Sequence, residues 1–263
     1  MQKQIDYKGV KIFYKIIGQG KPVFLIHGFS EDGDIWKYQI EHLKAHYQLI
    51  VADLPGSGYS PVNNLLRTID DFADGIKAIA DNESIKDTAM IGHSMGGYIT
   101  LAFAEKYPQL LNRFGLFHST VYADNEEKIQ TRKRGIEFIK QHGAHAFLKQ
   151  SIPKLFTLLF SQKHPQQIAD LMERGKLFSS EVLVQYYEAM ISRPDRTSVL
   201  KKADKPILFI IGTEDKAVPL QESLKQCHQP SVSDVHILEN TAHMGMWEEK
   251  DKCNLFITNF LSF

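Results

Sequence analysis

The chain is short of most features that mark a specialised class. Only two cysteines occur in 263 residues, Cys227 and Cys253, with no CxxC spacing and no histidine cluster beside them. That speaks against a disulfide framework or a zinc site and predicts reduced, structural thiols. Charge of one sign is absent too: Lys plus Arg and Asp plus Glu both number 31. No global field then draws the chain to nucleic acid or to an anionic membrane, so neither is expected as a partner. No uncharged run reaches the roughly 18 residues of a membrane span, and Met1 to Lys8 has no apolar signal core, which predicts a cytoplasmic location. What is present is 43% apolar content, enough for one large core or a core with a modest insertion.

The most informative stretch is Gly92-His-Ser-Met-Gly96. It places one serine between glycines, after the strand-like run Thr88 to Ile91 and before Tyr98 to Tyr107, an apolar segment ended by Pro108. Strand, tight turn and helix in that order make a nucleophile elbow, in which Ser94 is lifted clear of the strand end. The hydroxyl then sits at a helix N-terminus, where free N–H groups favour negative charge.

Around the elbow the chain alternates strand and helix patterns. Val10 to Ile17 reads as an early edge strand, while Pro22 to Ile26 and Leu49 to Ala52 read as strands covered on both faces. Trp36, Ile40, Leu43 and Tyr47 form one helical stripe, and Ile69, Phe72, Ala73, Ile76 and Ile79 another. Arg113 to Phe117, Asp204 to Ile211 and Val235 to Leu238 continue the strands, and Asp251 to Phe263 closes the chain as a helix. This rhythm predicts an α/β fold, a parallel sheet with helices on both faces. It breaks from 122 to 200, where only helical patterns occur, with Asp124 as the expected N-cap of the first helix and Gly143 as its stop. An insertion of that length between two strands reads as a cap over the active site.

Serine needs a base, and the base needs a carboxylate to fix its tautomer. Asp215 follows the strand ending at Ile211, and His243 follows the last strand. Glu214 and His236 compete for these roles, but His236 sits within a strand body. His27-Gly28 follows a central strand, where the Phe29 N–H and the Met95 N–H are the expected oxyanion donors. His27 and Asp53 are read as bracing residues, and His118, at a strand exit, as a residue lining the substrate pocket. Lys128, Arg132, Lys133, Arg134 and Lys140 suggest an acidic substrate, yet Glu126, Glu127 and Glu137 lie among them. A solvated helix is the expectation there.

With His27-Gly28, Asp53-Leu-Pro-Gly-Ser-Gly-Tyr-Ser60, Gly92 to Gly97, Gly212-Thr-Glu-Asp-Lys-Ala-Val-Pro219 and Ala242-His243 in view, the chain resembles the α/β-hydrolase superfamily over essentially its whole length. Within it the pattern is similar to carboxylesterases, enol-lactonases and meta-cleavage-product hydrolases. The resemblance implies a mostly parallel eight-stranded sheet with a helical cap inserted after strand 6, cap at 122–200 and core at 1–121 and 201–263. It also implies a serine esterase of small carboxylic esters that needs no cofactor and no metal, with a lactonase, a C–C hydrolase or a non-catalytic binding member as alternatives. Serine at 94 departs from the aspartate of haloalkane dehalogenases and epoxide hydrolases. Met244 stands where meta-cleavage hydrolases often have tryptophan.

Overall fold

The structure is a computed structural model that describes residues 1–262. Eight strands form one sheet: β1 (Gln2–Tyr7), β2 (Val10–Ile17), β3 (Lys21–Ile26), β4 (Tyr47–Ala52), β5 (Thr88–His93), β6 (Leu111–Phe117), β7 (Ile207–Gly212) and β8 (Ser233–Leu238). Their order is β1-β2-β4-β3-β5-β6-β7-β8. β2 pairs antiparallel with β1 and with β4; every later pairing is parallel. β5 and β7 are buried at every position, as continuous apolar runs between two helix layers should be.

Val10–Ile17 is not the edge strand. β1 takes that place, and in Gln-Lys-Gln-Ile-Asp-Tyr only Ile5 is buried, so the sequence carries no apolar period to read. β8 is the opposite edge, with Val235 and Ile237 exposed, while His236 stacks on Phe256 of the terminal helix Lys250–Ser262 with ring centroids 3.8 Å apart.

Helices cover both faces of the sheet. Ile69–Asn82, opened by a Thr68–Asp71 capping box, packs on the elbow helix Met95–Lys106; Lys37–Leu43 packs on Lys250–Ser262. Between β6 and β7 the described residues hold no strand. Helices Glu126–His142, Ala144–Ser151, Leu158–Lys163, Pro165–Arg174 and Ser180–Ser192 follow one another, with a 3-10 turn at Ile152–Leu155 around Pro153. Gly143, at φ 85°, ends the first of them. Its N-cap is Asn125 and not Asp124, because the Asn125 amide oxygen accepts from the Lys128 N–H, which leaves the Asp124 carboxylate to pair with Arg132 and Arg193. A boundary at residue 200 falls inside the helix Thr197–Lys202.

The helical segment is tied to the sheet loops. Phe29, past the end of β3, stacks on Tyr187 with centroids 4.5 Å apart. Tyr186 Oη donates to the Pro55 carbonyl at 3.0 Å, and the His243 N–H donates to the Leu155 carbonyl at 2.9 Å.

Candidate active site

Ser94 occupies the junction between β5 and the elbow helix with φ 51° and ψ −115°, a conformation that costs on the order of 1–3 kcal/mol for a non-glycine residue. Its neighbours make the turn possible. A Cβ on Gly92 would strike the Gly96 carbonyl, and one on Gly96 would strike the Ile26 carbonyl, so neither position accepts a side chain. Backbone bonds then fix the serine from both sides: its N–H donates to Phe117 at 2.9 Å and its carbonyl accepts from Ser119 Oγ at 2.7 Å. From Ile91 to Thr100 only Ser94 is not buried.

Asp215 and His243 meet directly, with Nδ1 of His243 2.8 Å from Oδ2 of Asp215. The other oxygen of Asp215 accepts the N–H groups of Ala217 and Val218 at 2.8 and 2.9 Å. Burial works to raise the Asp215 pKa, but the charge and hydrogen bonds of His243 and His118 outweigh it and hold the carboxyl well below its ordinary range. With Nδ1 engaged, Nε2 of His243 is the nitrogen left for a substrate or a hydroxyl. His243 and Ser94 line one cavity of about 400 Å³. The rival residues lie apart from it: Glu214 is exposed, and His236 packs on Phe256.

His118 does not line the cavity. It is 1% exposed, and its Nδ1 lies 3.1 Å from the same Asp215 oxygen that bonds His243, so it sits behind the acid. Burial lowers its pKa to about 4, which leaves it neutral near pH 7. The ligand atoms of His118, Asp215 and His243 lie within 4.8 Å of one another, close enough for a cation; hydrogen bonds to both Asp215 oxygens already account for the cluster.

The Phe29 N–H has no protein acceptor among the described residues, and Met95 opens a helix, where an N–H has no partner within the helix. His27 braces the loop beside them: Nε2 accepts from the Leu54 N–H at 3.0 Å and lies 2.8 Å from Ser57 Oγ. Asp53 bonds the N–H groups of Gly33 and Tyr59 at 2.9 and 3.0 Å, a bracing role as expected from sequence.

Sequence reasoning missed a second buried pair. Nδ1 of His93 lies 3.0 Å from Glu31 Oε2, which also accepts the Gly28 N–H at 2.6 Å, and Nε2 of His93 lies 3.0 Å from the His243 carbonyl. It also missed which basic residues turn inward. Lys128 and Arg132 line the cavity, while Lys133, Arg134 and Lys140 are exposed on the outer face of the same helix.

An open, mostly parallel sheet whose candidate groups gather beyond the C-terminal ends of the strands defines an α/β enzyme. The family model described as the alpha/beta hydrolase fold matches residues 21–250, and the chain belongs to that family. Among similar proteins, the (E)-2-((N-methylformamido)methylene)succinate hydrolase of Acinetobacter baylyi is 27% identical over 243 residues, which cover 90% of this chain and 89% of that protein. A thermophilic esterase from Thermogutta terrifontis, solved with malate bound, superposes with a TM-score of 0.93 at 26% identity over 100% of this chain and 98% of the other. The enol-lactonase of Burkholderia xenovorans shares the fold, with a TM-score of 0.92 at 20% identity over 99% and 100% of the two chains.

Proposed function

We propose that this hydrolase cleaves carboxylic esters through an acyl-enzyme on Ser94. The observation that carries the reading is a strained serine and a carboxylate-bound histidine opening into one cavity. His243 Nε2 takes the hydroxyl proton as Ser94 Oγ attacks the ester carbonyl, and the N–H groups of Phe29 and Met95 receive the developing oxyanion. The tetrahedral adduct collapses with breakage of the C–O bond to the alcohol, which leaves with the proton from His243. Water, deprotonated by the same nitrogen, then attacks the acyl group, and the acid departs as Ser94 regains its proton. Asp215 keeps Nδ1 protonated throughout and stabilises the imidazolium. The helices of 122–200 act as the cap, since Phe147, Leu155, Tyr187 and Met190 wall the cavity opposite the sheet loops. Likeness to the Thermogutta terrifontis esterase supports ester as the bond cleaved. Two free thiols support a reducing compartment, the cytoplasm, and no helix among the described residues is long and apolar enough to cross a membrane.

The test is labelling by a fluorophosphonate probe together with hydrolysis of p-nitrophenyl esters from acetate to decanoate. Wild type labels and turns over; Ser94→Ala and His243→Ala do neither. Folded wild type that resists the probe would overturn the reading.

A further inference from the structure

The ester substrate of this site, we infer, carries a carboxylate of its own, held by Arg132 and Lys128 while Ser94 attacks a carbonyl a few carbons away. The inference rests on the esterase reading and names the class of ester it takes, a monoester of a short dicarboxylic acid.

The two side chains stand one helical turn apart on Glu126–His142 and both reach the wall that Ser94 and His243 share. Each keeps donors in reserve. A guanidinium has five N–H groups; the Arg132 Nε and one Nη meet Asp124 at 2.6 and 3.4 Å, leaving the remainder for a ligand. Lys128 donates one of its three to the Ala217 carbonyl at 2.9 Å. Asp124 is shared by Arg132 and Arg193, at 2.6 and 2.9 Å, so one carboxylate faces two guanidinium groups and does not also neutralise Lys128.

Other charges border the cavity, and they do not reverse its sign. Lys216 is exposed at the rim with Glu127, Glu222 is half-buried, and Glu31 is held by His93. Tyr98 is buried against the same cations. Burial raises its phenol pKa, yet Arg193, Lys128 and Arg132 together pull it below the ordinary value. Tyr98 lies four residues after Ser94 on the elbow helix and lines the same cavity, whose volume of about 400 Å³ admits a monoester of a short dicarboxylic acid. The Arg132 guanidinium also lies 5.6 Å from the centre of the Tyr187 ring, within reach of a cation–π contact.

The experiment compares mono-p-nitrophenyl glutarate with its neutral counterpart p-nitrophenyl valerate. Wild type favours the charged ester. In Arg132→Gln and in Lys128→Met the ratio of kcat/KM for charged over neutral ester falls about ten- to a hundredfold, chiefly through KM. Lys133→Gln, on the outer face, keeps the wild-type ratio. Glutarate binding to Ser94→Ala, followed by calorimetry, weakens when Arg132→Gln or Lys128→Met is added. A wild type indifferent to the charge, or a ratio unmoved by either substitution, overturns the anion site; if Arg132→Gln does not fold, Lys128→Met decides. Fluorophosphonate labelling keeps the two ideas separable. Labelling with an unmoved ratio removes only the carboxylate, whereas glutarate binding without labelling removes only the esterase.

Discussion

The ring of His93 is bonded to the backbone carbonyl of His243 at 3.0 Å, so the residue directly before the candidate nucleophile holds the loop of the candidate base. The other ring nitrogen faces Glu31 at 3.0 Å. Two acceptors require two N–H groups, which makes His93 an imidazolium. Burial opposes that charge, but Glu31 and the His243 carbonyl raise the His93 pKa; the Glu31 carboxyl, against its own burial, is lowered by His93 and the Gly28 N–H. One buried ion pair therefore joins the end of β5 to the loops after β3 and β8.

His93→Gln should unfold at lower urea by about 3–5 kcal/mol near neutrality, the scale for stranding one partner of a buried pair. The pH dependence carries the sign. His93 has a folded pKa raised above its ordinary 6.5, so its contribution is complete below that value and lost as pH rises through the folded pKa. The gap between wild type and variant should be full below about pH 6.5 and narrow as pH rises above it. An equal gap below and above that pH means that His93 is neutral in the fold.

Asp215→Asn should fold normally and lose about 10⁴-fold in kcat, against about 10⁶-fold for Ser94→Ala. The lowered Asp215 pKa means that its contribution to stability is present above its ordinary 3.8 and lost as pH falls toward the folded value. Acid unfolding of Asp215→Asn followed by circular dichroism should accordingly be shallower than that of wild type. A loss of less than tenfold in kcat would show that the carboxylate plays no part in orienting His243.

Phe29→Ala keeps the loop N–H and removes the ring that stacks on Tyr187. We expect about 2–4 kcal/mol of destabilisation, a raised KM and faster proteolysis within 122–200. A fall in kcat alone, with the helical segment as resistant as before, would place the ring's role in the loop beside Ser94 and not in holding that segment.

Glu248 joins the same two regions from the other side. Its carboxylate accepts from the Ala242 N–H at 3.0 Å and from Thr157 Oγ1 at 2.5 Å. Glu248→Ala should lower kcat about tenfold by freeing the chain next to His243, whereas Thr157→Val, which loses the hydroxyl's bond to Glu248 and its cap on the Phe160 N–H but keeps the Thr157 N–H bond to Glu248, should act mainly on KM. Identical profiles for the two variants would refute the division.

Much of this architecture is written locally. The apolar runs of β3, β4, β5 and β7 and the Gly92-to-Gly96 turn are dictated by neighbours in sequence, and they were legible. β1 was not, because its polar residues pair through backbone bonds alone. Asp124 and Asn125 are equally good caps, and only the buried arginines waiting for Asp124 decide between them. The place of His118 at a strand exit suggests the pocket but does not reveal direction; its ring turns to an acid 97 residues away. Glu31 and His93 are separated by 62 residues, and no motif links them. The basic helix gave its composition but not its orientation, so Lys128 and Arg132 could not be told from Lys133 and Arg134 until packing fixed which side faces in.

The bond from the His243 N–H to the Leu155 carbonyl has a consequence for turnover. The backbone of the candidate base therefore hangs from the helical segment and not from its own strand alone. If the proposed function holds, a change in that segment reaches the histidine without touching its ring, and a substitution near Leu155 can alter turnover from outside the cavity's polar groups.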